Sequence, residues 1–208
     1  MRTELCEIMT KYGSDKGFGV HNYTILYNEL FFNIRNNQLN IFELGLGTNN
    51  TDVPSNMGAS GVPGASLRGW REYFPNSNVY GADIDKRILF NENRIQCFYC
   101  DQTNPKIVTD MWNNPQLKDL LFDIIIEDGL HEFSSNLIFL ENSLHKLKLG
   151  GIYICEDLKL ETVKSFESIL DSLKIKYLNY SFEIKILDNP NNFYNDNNLL
   201  IIKKTKNG

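Results

Sequence analysis

Two stretches hold the residue types that could do chemistry together: Glu127-Asp128-Gly129-Leu130-His131 and Glu156-Asp157. Carboxylates grouped without compensation repel one another, so a bound cation is the simplest reason to cluster them. Hard divalent ions such as Mg²⁺ take oxygen ligands, and Asp128, Glu156 and Asp157 offer that set. His131 stands three residues past Asp128 and can reach the same pocket without being a ligand. An imidazole with an ordinary pKa of about 6.5 suits proton abstraction near neutral pH. The plainer reading is that acids after strands cap helices or face water.

A second constellation lies earlier in the chain. Glu43-Leu44-Gly45-Leu46-Gly47-Thr48 puts an acid and two glycines where an apolar run ends. Glycine there lets the backbone approach a ligand closely. The run lacks the third glycine of the dinucleotide fingerprint. Gly81-Ala82-Asp83 sets a carboxylate at the end of another apolar run, where it can accept hydrogen bonds from a ribose diol. Asp101 follows a third run and can meet an adenine amine. Either acid can instead cap the next helix.

These residues need strands to carry them. Short apolar runs at Ile41–Leu44, Val79–Ala82, Ile95–Tyr99, Phe122–Ile126 and Ile152–Cys155 read as buried strands. Helical spacing marks Leu67–Tyr73 and Phe133–Leu147, the second closed by Gly150-Gly151. It also marks Glu161–Leu173 and a stretch that Pro105 opens towards Trp112. Phe182–Leu187 and Leu199–Lys203 read as a terminal strand pair. Strands alternating with helices give a mostly parallel sheet with right-handed crossovers. The acids then sit past the carboxyl ends of the strands, where ligands bind in such sheets. Thr48–Gly64, rich in Gly, Asn, Ser and Pro, reads as a functional loop. Tyr12–Tyr27, with Lys16, His21 and Tyr23, is expected to supply site residues as a lid over the cofactor, or else to be a helix-leading loop with buried tyrosines. His21 and His145 carry no signal of their own, and the asparagine-dense Asn189–Asn198 reads as loop.

The 208 residues fit one domain, and 42% hydrophobic with 23% charged residues allows a sizeable core. A net charge of -5 argues against a nucleic-acid partner. No apolar run approaches the ~20 residues of a membrane span, Met1–Lys11 lacks a signal-peptide core, and four cysteines read as reduced thiols, so a cytoplasmic location is expected.

The order strand–ELGLG–helix–strand–GAD–strand–D resembles the class I S-adenosylmethionine-dependent methyltransferases from about Lys11 to Leu158. The resemblance implies an α/β, Rossmann-like fold with helices on both faces of a mostly parallel seven-stranded sheet and an antiparallel C-terminal strand. It implies a core over 37–208 behind an N-terminal lid over 1–36. Glu43, Gly45 and Gly47 would sit beside the methionine part, Asp83 with Ile84 at the ribose, and Asp101 with Gln102 near the adenine. Ser66, Tyr12, Lys16 and Tyr23 would also line the cofactor site, and Asp128 would adjoin it.

Asp128-Gly129-Leu130-His131 with Glu156-Asp157 narrows the resemblance to the metal-dependent sugar O-methyltransferases of macrolide tailoring, of the mycinamicin and tylosin type, and to the related cephalosporin hydroxylase-like proteins. Tyr12-Gly13-Ser14-Asp15-Lys16 and Gly64-Ala65-Ser66-Leu67-Arg68 match as well. This implies Mg²⁺ on Asp128, Glu156 and Asp157, with Asp128 and His131 catalytic and His131 the base. It implies a sugar or other small-molecule acceptor, on a surface polysaccharide or a natural product, and S-adenosylhomocysteine as product. The chain departs from that type by its shortness, without the long amino-terminal domain of the macrolide enzymes, and by the insertion Asn49–Pro63. Acceptor and oligomeric state therefore stay open. A small phosphorylated metabolite as acceptor, or a cofactor-binding module without catalysis, are the alternatives. The missing glycine disfavours a nicotinamide dehydrogenase. A lone histidine disfavours a non-heme iron oxygenase. Cys97-Phe98-Tyr99-Cys100 has CxxC spacing, but on a strand it reads as core.

Overall fold

A computed structural model describes residues 2–17, 19–189 and 195–206. Part of the asparagine-dense tract falls outside the described residues. The chain opens with helix α1 (Glu4–Tyr12), whose first turn is capped by the Thr3 hydroxyl accepting from the Cys6 amide, and α2 (Tyr23–Phe31) follows. Then come β1 (Asn40–Leu44), α3 (Ala65–Tyr73), β2 (Asn78–Asp83), a short β3 (Asn91–Glu92) and β4 (Ile95–Tyr99). The second half runs α4 (Pro105–Trp112), β5 (Phe122–Glu127), α5 (Phe133–Ser143), β6 (Leu147–Cys155), α6 (Leu160–Lys176), β7 (Tyr180–Ile186) and β8 (Asn198–Lys204). No described helix is long and apolar enough to cross a membrane.

The sheet has eight strands in the order β3-β4-β2-β1-β5-β6-β8-β7. Seven of these, among them the antiparallel β8, agree with the expected architecture, and the two-residue β3, antiparallel to β4, is the addition. From β1 the chain steps outward through β2 to β4, then returns to place β5 on the other side of β1. This reversal opens a crevice at the carboxyl ends of β1 and β5.

One boundary differs from the sequence reading. The helix before Gly150-Gly151 stops at Ser143, and β6 already begins at Leu147. Phe122 pairs with Leu147, and the register jumps to Ile124 opposite Ile152. The glycines sit in that irregularity. A Cβ on Gly151 would stand 2.9 Å from the Lys148 carbonyl oxygen and 3.0 Å from that of Phe122. Gly151 marks a close backbone approach inside a strand, and Gly150 beside it takes the left-handed conformation (φ +79°), so the pair is not a helix end.

Alternation along β1 sends Phe42 and Leu44 to one face and Ile41 and Glu43 to the other. The first face packs with Trp112, Phe122, Phe139 and Tyr153 under α4, α5 and α6. On the second face, Leu5, Met9, Tyr27, Phe31 and Trp70 bring α1, α2 and α3 together. The N-terminal helices therefore share a core with the sheet, and each fully buried large side chain there contributes roughly 1.5–3 kcal/mol.

Candidate active site

Register aligns the site. Leu44 lies opposite Glu127, and Glu127 opposite Cys155. The ladder continues one residue further, with the Asp128 amide donating to the Leu44 carbonyl and the Glu156 amide to that of Glu127, both at 2.9 Å. Gly45, Asp128 and Glu156 thus emerge side by side from three neighbouring strands. A Cβ on Gly45 would meet the Asp128 carbonyl oxygen at 1.8 Å, so the turn at Gly45 (φ +91°) and the β5 turn touch backbone to backbone.

Asp128, His131 and Asp157 each bring one ligand atom within 4.8 Å of the others. His131 Nδ1 is 4.0 Å from Asp128 Oδ1, and Nε2 is 3.9 Å from Asp157 Oδ2. His131 Nδ1 is buried and has no hydrogen-bond partner. Burial opposes the charged imidazole, but the Asp157 and Asp128 carboxylates outweigh it and hold its pKa above the ordinary value. Asp157 is pushed up first by burial and then by the nearby Asp128 charge.

The N-terminal segment supplies the rest. Lys16 has a side chain only 2% exposed, and its ammonium donates to Asp128 Oδ2 and Glu156 Oε2. Glu43 Oε1 lies 3.7 Å from the same ammonium. Burial opposes the Lys16 charge, yet Asp128, Glu156 and Glu43 keep its pKa well above the ordinary value. Burial also raises Glu156 strongly, with Lys16 pulling the other way. The Tyr27 hydroxyl donates to Glu156 Oε1. The Tyr23 hydroxyl donates to Asp157 Oδ1 at 2.7 Å and accepts from the Asp157 amide at 3.2 Å.

Several expected positions shift. Glu156 is drawn to Lys16 and Tyr27, and His131 takes the third place beside Asp128 and Asp157. Glu43 does not reach the cleft: it is fully buried, accepting from the Ser66 hydroxyl and the Trp70 indole, so it anchors the site from beneath. The Tyr12 hydroxyl donates to Glu72 Oε2 at 2.7 Å on an exposed face, because the last turn of α1 faces α3. Tyr23 meets the acids. Gly45, Gly47, Lys16, Ser66 and Asp128 do line one cleft, with Gly13 and Ser14.

At the other end of the crevice, Asp83 accepts from the amides of Leu46 at 2.7 Å and Asp85 at 2.8 Å, tying the glycine turn to β2. Ile84 is exposed beside it. Asp101 accepts from the Thr103 amide and hydroxyl, an ordinary turn. Gln102 is buried, donating to Glu127 Oε1 at 3.0 Å and accepting from the Leu130 amide at 2.8 Å, so it braces the turn that carries His131.

His21, named within the Tyr12–Tyr27 segment but given no role of its own in the sequence reading, lies at the site. Its ring stacks on Tyr23 with centroids 4.8 Å apart, and its Nδ1 is 3.7 Å from Asp157 Oδ1. Its two-residue spacing from Tyr23 was the available signal. The loop Asn49–Pro63 is anchored at its start, where Thr48 and Asn50 donate to Asp85 Oδ2, both at 2.7 Å, and it returns to rim the cleft with Met57 and Val62. Cys97 and Cys100 pack into cores on opposite faces of the sheet, so the CxxC pair cannot converge on one ion.

No protein-family model matches the chain. It is 32% identical over 169 residues to the 8-demethyl-8-alpha-L-rhamnosyl tetracenomycin-C 2'-O-methyltransferase of Streptomyces olivaceus, covering 80% of this chain and 41% of that protein. It is 29% identical over 161 residues to the demethylmacrocin O-methyltransferase of Streptomyces fradiae, covering 76% and 37%. In sequence the chain is homologous to these sugar O-methyltransferases, and its fold is of the class I methyltransferase type. The MycE methyltransferase of the mycinamycin biosynthetic pathway, solved in complex with Mg and SAH, superposes with a TM-score of 0.75 at 21% identity. That match covers 99% of this chain and 56% of the other. The chain spans about two fifths of the length of the curated relatives it matches.

Proposed function

We propose that this chain transfers the methyl group of S-adenosylmethionine to a hydroxyl of a sugar, on a natural product or a surface polysaccharide, with Mg²⁺ bound at the acids past β5 and β6. The carrying observation is the backbone contact between the Gly45 turn and Asp128, which puts a cofactor-type turn and the Asp128–His131–Asp157 group in one crevice. The name of the Streptomyces olivaceus relative, a rhamnosyl 2'-O-methyltransferase, supports a sugar acceptor.

The residues fit both groups. Burial, joined by neighbouring acids, holds Asp157 and Glu156 above the ordinary carboxylate range, while Lys16 pulls Glu156 the other way. The unpartnered His131 Nδ1 fits a pocket that takes a further group. Asp128, Asp157 and Glu156 would hold the ion, and Gly45, Gly47 and Ser66 would face the methionine end of the cofactor. When bound, the ion lowers the pKa of an acceptor hydroxyl and orients it.

His131 takes the hydroxyl proton as a C–O bond replaces the C–S bond of the sulfonium. Tyr23 fixes Asp157 and Gln102 fixes the His131 turn, so the ion-holding acid and the base are preset. Residues 1–36 cover the cofactor site from a position packed into the core of 37–208, and Lys16 reaches from them into the acids. Calorimetry with S-adenosylhomocysteine, with and without Mg²⁺, tests the cofactor pair. Labelled S-adenosylmethionine with rhamnosylated acceptors tests the transfer. A wild-type chain that binds no S-adenosylhomocysteine would overturn the reading.

A further inference from the structure

We propose that Lys16 is a built-in counter-cation: in the metal-free chain its ammonium fills the seat between Asp128 and Glu156, and a divalent ion displaces it from Asp128. This inference rests on the metal-dependent reading above.

The ammonium holds one oxygen of each acid, Asp128 Oδ2 and Glu156 Oε2. The other Glu156 oxygen accepts from Tyr27. Both Glu156 oxygens are thereby committed, and the acids that converge with His131 among the described residues are Asp128 and Asp157. Asp128 keeps its Oδ1 turned towards His131. Two carboxylates from adjacent strands are thus already drawn together around a single positive charge.

Lysine suits the task because its compact ammonium rides on a flexible stem with three donors. Its backbone is fixed: the Lys16 carbonyl accepts from the Thr24 amide at 3.3 Å, and the Asp15 carbonyl from the His21 amide at 3.1 Å. Only the side chain needs to move. Glu43 Oε1, 3.7 Å away, receives the ammonium when it withdraws, so the charge stays neutralised and the lid segment stays in place. Before that withdrawal, the positive charge repels an incoming cation at close range.

A purely structural Lys16 predicts the opposite of a competitor. Losing it would leave three acids unsupported, loosen them and weaken metal binding. Mn²⁺ binding followed by electron paramagnetic resonance separates the two. Lys16→Met is expected to bind Mn²⁺ at least about tenfold tighter than wild type, and Lys16→Arg no tighter than wild type. Equal or weaker binding by Lys16→Met overturns the role of Lys16 while leaving the metal site standing. A wild-type chain that binds no Mn²⁺ overturns the metal reading and this inference with it. Should Lys16→Met fail to fold, wild-type protein labelled at lysine Cε and titrated with Mg²⁺ gives the answer. The Lys16 signal is expected to shift while that of Lys146 stays put. A Lys16 signal unmoved at saturating Mg²⁺ overturns the exchange.

Discussion

His131 Nε2 faces Asp157 Oδ2 across 3.9 Å, joining the turn after β5 to the turn after β6. Both residues adopt left-handed backbone, with φ of 60° and 56°. For non-glycine residues that costs about 1–3 kcal/mol each. The surroundings impose it: Gln102 grips the Leu130 amide next to His131, and Tyr23 grips the Asp157 amide and carboxylate. The convergence of imidazole and acid is thus held against local backbone preference.

Replacing His131, the proposed base, should separate chemistry from binding. His131→Asn removes the proton acceptor and keeps a side chain that tolerates φ of 60°. We expect kcat to fall about 10²–10⁴-fold. S-adenosylhomocysteine affinity, read by calorimetry, should stay within about threefold of wild type. A His131→Asn variant turning over at the wild-type rate would remove His131 from the reaction.

The same imidazole predicts a pH signature in the metal-free protein. Asp157 and Asp128 outweigh burial and raise the His131 pKa in the folded chain. A raised folded pKa stabilises fully below the unfolded value of about 6.5 and is lost as pH climbs through the folded value. The Tm advantage of wild type over His131→Asn should therefore shrink as pH rises from about 6 to 9. An advantage that grows over that range would contradict the carboxylate environment described here.

The cysteines should be chemically quiet. Burial pushes the Cys97 thiol up to about 11 and the Cys100 thiol up to about 12, so neither is a thiolate at neutral pH. Mass spectrometry after native iodoacetamide treatment at pH 8 should find both unmodified, and both labelled after denaturation. Rapid native alkylation of Cys100 would mean that β4 is not packed as seen.

What was readable in advance follows from which forces act locally. Strand ends were legible because Gly45, Asp83 and Asp128 stop apolar runs, and Pro105 marked the first residue of α4. The start of β6 was not, since Gly150-Gly151 looks like a helix stop until a neighbouring strand comes close to Gly151. Asp128, His131 and Asp157 were legible as a group because adjacent parallel strands deliver their ends together. The retreat of Glu156 was not, because it depends on Lys16 and Tyr27, which are distant in sequence and brought in by tertiary packing. Tyr12 faces outward for a similar reason: where a residue points at the end of α1 depends on what that helix packs against.

Gly45 offers the sharpest structural test. Alanine there must hold φ at +91°, and its Cβ would sit 1.8 Å from the Asp128 carbonyl oxygen, so the β5 turn must move. Gly58→Ala is the control, with φ of +70° and nothing within 4 Å of the added carbon. Left-handed strain alone costs about 1–2 kcal/mol. Gly45→Ala carries that plus the collision and should lose more than about 2 kcal/mol, a Tm drop of roughly 4–8 °C for a chain of this size. Because the collision falls on Asp128 itself, Gly45→Ala should also lose Mn²⁺ affinity, whereas Gly58→Ala should keep it. Equal melting and equal Mn²⁺ binding by the two variants would mean that the glycine turn and the acid cluster are not in contact, and the single crevice on which the proposed transfer depends would be gone.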